Sequence, residues 1–116
     1  MEYRFEKNDA GRGSQTAIVL FAEKEYELLT DFFGSDVYSY YGVLSKLFSK
    51  AFSDANREET FIGNQCGLKI RKDKTEVFDT FDENIFDSLI EVDTVELWDV
   101  IQDFMQYIKE NHLYYE

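Results

Sequence analysis

A chain of 116 residues with 24 acidic and 12 basic side chains, net charge −12, repels polyanions, which excludes nucleic acid and anionic membrane surfaces as partners. Eleven Phe, eight Tyr and one Trp are far more apolar surface than a disordered acidic tail carries, so the chain folds. Its length suits one domain that buries roughly two-thirds of the surface of its unfolded form, and the single cysteine, Cys66, excludes an internal disulfide and a multi-cysteine metal site.

The first residues, Met1-Glu2-Tyr3-Arg4-Phe5-Glu6, have neither a basic start followed by an apolar run nor an Arg/Ser-rich leader. No apolar stretch approaches the roughly 18 residues needed to span a bilayer. A cytoplasmic protein is expected. Tyr3 to Lys7 alternates aromatic and charged residues, the period of a half-buried strand. Asn8 to Ser14 supplies turn formers, and Thr16 to Phe21 is β-branched and apolar, so residues 2 to 22 read as a hairpin. The Gly11-Arg12-Gly13-Ser14 turn lacks the spacing and the Lys-Ser/Thr ending of a phosphate loop.

Ala22, Tyr26, Leu29 and Phe33 recur at helical spacing, with Glu23, Glu25, Glu27 and Asp31 outside the stripe, and Gly34 is placed to end that helix. A second helix follows, with Asp36 as its N-cap and Tyr40, Tyr41, Leu44, Leu47, Phe48, Ala51 and Phe52 as its apolar face. Gly42 inside it suggests a close approach to a neighbour.

Glu59 to Asn64 reads as a strand, and Leu68 to Arg71 pairs through the Lys72-Asp73-Lys74 turn with Thr75 to Phe81. That pairing sets Lys69, Arg71, Lys72 and Lys74 near Glu76 and Asp79. The connector Asp82 to Asp87 is read as one helical turn; its carboxylates do not match a calcium loop started at Asp79, where Phe81 falls at a ligand position, or at Asp82, where Asp87 falls at the glycine position. Leu89 to Val92 forms another strand. Asp93 and Glu96 make a capping box for a last helix with Leu97, Val100, Ile101, Phe104, Met105 and Ile108 on one face. Cys66 reads as a buried structural residue, and His112, the only histidine, as part of a frayed tail.

These elements predict a single α+β domain over residues 1–116, with a mainly antiparallel sheet of about four to six strands, two inserted helices and a C-terminal amphipathic helix. The charge is not spread evenly over it. Between Thr75 and Ile108 stand ten carboxylates, Glu76, Asp79, Asp82, Glu83, Asp87, Glu91, Asp93, Glu96, Asp99 and Asp103, and no Lys, Arg or His. An ordinary solvated helix mixes signs at i, i+4, and crowding like charges destabilises a fold, so the run points to a binding face for a basic partner. Tyr38, Trp98 and Tyr107, at the edges of apolar stripes, are candidate aromatic anchors for that partner.

The run Leu89-Ile90-Glu91-Val92-Asp93-Thr94-Val95-Glu96-Leu97-Trp98-Asp99-Val100-Ile101-Gln102-Asp103-Phe104 resembles the C-terminal part of small immunity proteins from bacterial contact-dependent and other polymorphic toxin systems. The resemblance implies a cognate toxin domain, often a nuclease, as the partner, and it carries over no defined binding residue. Three readings follow. The first is an inhibitor that occludes a basic toxin, using Glu76, Asp79, Asp82, Glu83, Asp87, Glu91, Glu96, Trp98, Asp99, Asp103 and Tyr107, with no cofactor or metal and no catalysis. The alternative is a nucleic-acid mimic or regulatory adaptor that uses the same carboxylates. The third is an enzyme in which two carboxylates such as Asp79 and Glu91 act as acid and base or hold Mg²⁺; the sequence offers it no histidine in the core, no nucleophile beside a base and no phosphate loop.

Overall fold

The structure is a computed structural model, and it describes residues 1–11, 14–82 and 88–113. Strands β1 (Tyr3–Gly11) and β2 (Ser14–Phe21) form the expected antiparallel hairpin, with Tyr3 opposite Phe21 and Phe5 opposite Val19. Tyr3, Phe5, Ala17, Val19 and Phe21 alternate onto one face and pack on the core. Arg12 and Gly13, at the tip, lie outside the described residues.

A short 3₁₀ turn (Lys24–Tyr26) leads into α1 (Glu27–Phe32), a π-helical segment (Phe33–Val37) and α2 (Tyr38–Ser53). Two expectations are corrected here. The helix does not stop at Gly34; it widens through the π segment and continues. Nor is Asp36 an exposed N-cap. It is fully buried, and its carboxylate accepts the backbone N–H groups of Asn64 (2.6 Å), Gln65 (3.3 Å) and Cys66 (3.0 Å). Residues 32, 33, 36 and 37 all point inward, and the widened turn, one residue longer than an α turn, is what lets them do so.

The second sheet is an antiparallel meander in the order β3 (Glu59–Ile62), β4 (Cys66–Ile70), β5 (Lys74–Asp79), β6 (Ile90–Asp93). β3 ends at Ile62, two residues earlier than the pattern suggests, because Asp36 captures the amides of Asn64 and Gln65. Phe61, Leu68, Val77 and Ile90 stand abreast on the inner face, followed by Ile70, Thr75 and Val92. The outer face carries the row Thr60, Lys69, Glu76, Glu91 and, nearer one end, Ile62, Gly67, Phe78. Gly67 is where the backbone needs a glycine: a Cβ there would lie 2.3 Å from the Phe78 ring. Gly42, by contrast, faces open space, so no close approach explains it.

Helix α3 (Thr94–Glu110) begins as the capping signal predicts, with the Glu96 N–H donating to Asp93 Oδ1 at 3.0 Å. Its first turn is stapled to the β4–β5 turn: Thr94 N–H donates to the Asp73 carbonyl and the Thr94 hydroxyl to the Arg71 carbonyl (2.7 Å). With its single proton so used, Thr94 Oγ1 is left to accept from the buried Thr75 hydroxyl (2.8 Å). At the other end His112, with φ of 53°, makes a left-handed cap, closed by bonds from Leu113 N–H to the Ile108 carbonyl (3.0 Å) and from His112 N–H to the Lys109 carbonyl (3.3 Å). The tail is therefore not frayed at this point, and Leu113 is buried.

One buried core draws on the hairpin, the helices and the inner sheet face, and Phe104 of α3 lies against both Phe5 (6.0 Å) and Phe33 (5.2 Å). The α+β class, the hairpin, the two inserted helices and the C-terminal helix are as the sequence predicts. The strands divide into a four-stranded sheet and a separate two-stranded one.

Candidate functional site

The carboxylates of residues 75–108 do not form one patch by themselves. Glu76 lies on the outer sheet face opposite Lys69, with Arg71 Nη1 at 3.6 Å from its Oε1, so it is already compensated. Asp79, expected beside those same bases, is instead opposite Cys66, on the side of the strand that faces the core. Its Oδ1 accepts from the Phe81 N–H (2.9 Å). Asp93 is engaged as the helix cap, opposite Lys74. Asp82 follows in the turn after β5, half-buried, while Glu83 and Asp87, together with most of the expected helical turn, lie outside the described residues.

The acidic groups of α3 and β6 meet partners of the same sign from the other end of the chain. Burial raises the pKa of the Tyr26 hydroxyl, and the carboxylates of Glu25, Glu23 and Glu96 raise it further. A recess of about 280 Å³ is lined by Glu25, Tyr26, Leu89, Ile90 and Glu91. Burial raises the Asp31 pKa, and nearby Asp79 and Glu27 add to it. Farther along α3, the Tyr3 hydroxyl donates to Asp103 Oδ2 at 2.7 Å. Burial, that bond and the charges of Asp103 and Asp99 push the phenol up to about 12.

These links trace an acidic belt from Asp31 and Asp79, through Glu27, Glu25 and Glu23, to Glu91 and Glu96, and on to Asp99 and Asp103. Glu23, Glu25, Glu27 and Asp31 lie far outside the acidic run of residues 75–108 in the chain. Their signal was present as the Glu23, Glu25, Glu27 spacing, but that reads equally well as the solvent side of a helix. Folding brings them to β6 and α3. Among the described residues, ion pairs join Arg4 to Glu6, Arg57 to Glu59, and Arg71 to Glu58 and Glu76, away from these carboxylates.

Of the proposed anchors, Trp98 stacks on Phe48 (4.9 Å between ring centres) and on Tyr41 (5.9 Å, 7° between planes). Tyr107 packs on Phe5 at 5.2 Å. Both are half-buried and used in packing, whereas Tyr38 keeps about a third of its surface exposed, 36%. Cys66 is buried. That burial, with the negative charges of Asp36, Asp79 and Asp31, pushes its thiol up to about 12, which leaves it protonated and a poor nucleophile.

With this geometry in place, the comparison with known proteins is specific. An immunity protein of Bacillus cereus is 33% identical to this chain over 96 residues, which are 80% of this chain and 80% of that protein. The chain belongs to the immunity-protein family. No protein-family profile matches it, and neither does any solved structure.

Proposed function

We propose that this immunity protein binds a cognate toxin domain and neutralises it by steric and electrostatic occlusion, in the cytoplasm and without catalysis. The observation that carries the reading is the 33% identity, over four-fifths of both chains, to a protein named for immunity. The acidic belt supports a basic toxin. Carboxylates held apart by a rigid fold, with Lys24 the one base in the chain segment that carries Glu23, Glu25 and Glu27, gain free energy when cationic side chains arrive. A nuclease fits that description, because it presents Lys and Arg to phosphates, and a belt of carboxylates competes for the same groups.

The test is binding and inhibition measured together. The chain is used as bait in lysate of its source at low salt, and the basic domain it captures is purified and titrated with the immunity protein at low and high salt while nuclease activity is followed. The expected result is tight binding that weakens as salt rises, with activity lost in step. A Glu25→Lys/Glu96→Lys/Asp99→Lys variant leaves the Asp103 bond to Tyr3 in place; it should bind more weakly and with a shallower salt dependence. Affinity equal to that of the wild type would remove the belt from the interface, and a domain that binds but keeps its activity would remove inhibition.

A further inference from the structure

Phe81 is three-quarters exposed (75%), the most exposed large apolar side chain among the described residues. Nothing in the local backbone calls for it. It sits third in the turn Asp79–Asp82, closed by Asp82 N–H donating to the Asp79 carbonyl (3.3 Å), where small or polar residues do the conformational work in most turns.

The turn is nevertheless held by bonds to two other segments of the chain and within itself. Asp79 N–H donates to Ser88 Oγ (3.2 Å), and Thr80 gives both its N–H (2.9 Å) and its hydroxyl (2.8 Å) to the Gln65 carbonyl. Phe81 N–H donates to Asp79 Oδ1. Gln65 in turn is fixed by the buried Asp36. An aromatic ring is thus projected into solvent from a backbone whose conformational freedom is already lost, which is the arrangement that makes an aromatic residue an effective anchor. Ile62, 61% exposed, lies at the same end of the sheet, next to the strand residue Gly67 that Phe78 covers.

We infer that Phe81 is the apolar anchor of the toxin interface and enters a recess on the toxin that is rimmed by Lys or Arg. This rests on the toxin-binding reading above and adds the contact around which the interface closes. The chemistry of the recess follows from what flanks the ring. Asp79 and Asp82 stand on either side of it in the turn, and Asp31 is close enough to Asp79 to feel its charge. An uncharged apolar partner would strip water from these negative charges without offering any positive charge, whereas a basic rim compensates them. The anchor adjoins the Asp31–Asp79 end of the acidic belt, so ring and belt can meet one partner together.

The test uses the 116-residue chain and, as probe, the purified basic domain captured with it as bait, with affinity measured by calorimetry at several salt concentrations. Phe81→Ala should lower affinity on the order of 10- to 100-fold at every salt concentration, because it removes an apolar contact and no charge. The salt slope should be unchanged, and Phe81→Trp should retain most of the affinity. Thermal melts should coincide with the wild type, since the ring is outside the core. If Phe81→Ala binds like the wild type while Glu25→Lys/Glu96→Lys/Asp99→Lys binds poorly, the anchor is wrong and the belt stands. If Phe81→Ala instead flattens the salt slope, the ring acts by placing carboxylates, and the anchor is again wrong. A wild-type protein that does not bind the probe overturns the toxin-binding reading and the anchor with it.

Discussion

The carboxylate of Asp36 occupies the space that a side chain at residue 63 would need: a Cβ built on Gly63 falls 2.6 Å from Asp36 Cγ and 2.8 Å from both of its oxygens. Two residues 27 positions apart are therefore matched, one by carrying an acid into the interior and the other by carrying no side chain. Gly63→Ala should push the carboxylate off the amides of Asn64, Gln65 and Cys66 and destabilise the fold by about 2 kcal/mol or more, read by denaturant unfolding. Asp36→Ala should cost about 3 kcal/mol, because it leaves those N–H groups without their acceptor. The double variant should cost less than the sum of the two, since the steric conflict disappears with the acid.

Gly67 and Phe78 form a second such pair, this time on the outer face of the sheet, where the ring lies over the bare backbone. Gly67→Ala should destabilise by about 1 to 3 kcal/mol, and most of that loss should vanish in a Phe78→Ala background. A double-mutant cycle by chemical denaturation gives the coupling directly; additive effects would mean that the ring moves aside without penalty.

His112 stands in the left-handed position of the α3 cap, a conformation that glycine adopts without strain. His112→Gly should raise stability by about 1 kcal/mol and leave toxin binding unaltered. A lower melting temperature in this variant would show that the imidazole makes a contact worth more than the backbone strain.

Asp31 offers a test in pH. Its folded-state pKa is raised by burial and by Asp79 and Glu27, so at mildly acidic pH the folded protein holds a proton more firmly than the unfolded chain does. The sign follows. At neutral pH the ionised group works against folding, and that penalty is relieved as pH falls through the raised pKa. Asp31→Asn should therefore stabilise the protein at pH 7, with an advantage that shrinks towards pH 4, as followed by thermal melts across that range. An advantage independent of pH would assign the gain to something other than charge.

What the sequence determined by itself was local. The alternation of Tyr3 and Phe5, the apolar stripes of α2 and α3 and the Asp93 cap report which face of each element turns inward, because side-chain period depends only on backbone geometry and holds wherever the element ends up. The family resemblance carried by residues 89–104 was legible for the same reason, as an unbroken stretch of chain. The concentration of acid after Thr75 was legible too, but not its partition. Only the fold decided that Glu76 is compensated by Lys69 and Arg71 while Glu91 and Glu96 meet Glu25 and Glu23 around Tyr26, since Coulomb interactions depend on distance in space and not on order in the chain. The same holds for Asp36. Read locally, an acid after Gly34 is a helix cap; in three dimensions its acceptors' worth of hydrogen bonds is taken up by amides 28 to 30 residues away, and the helix runs on through it. Trp98 and Phe81 are placed by the same logic: the first lies against rings contributed by α2, and the second, which the strand pattern treats as one more alternating residue, is left in solvent by a turn closed with tertiary hydrogen bonds.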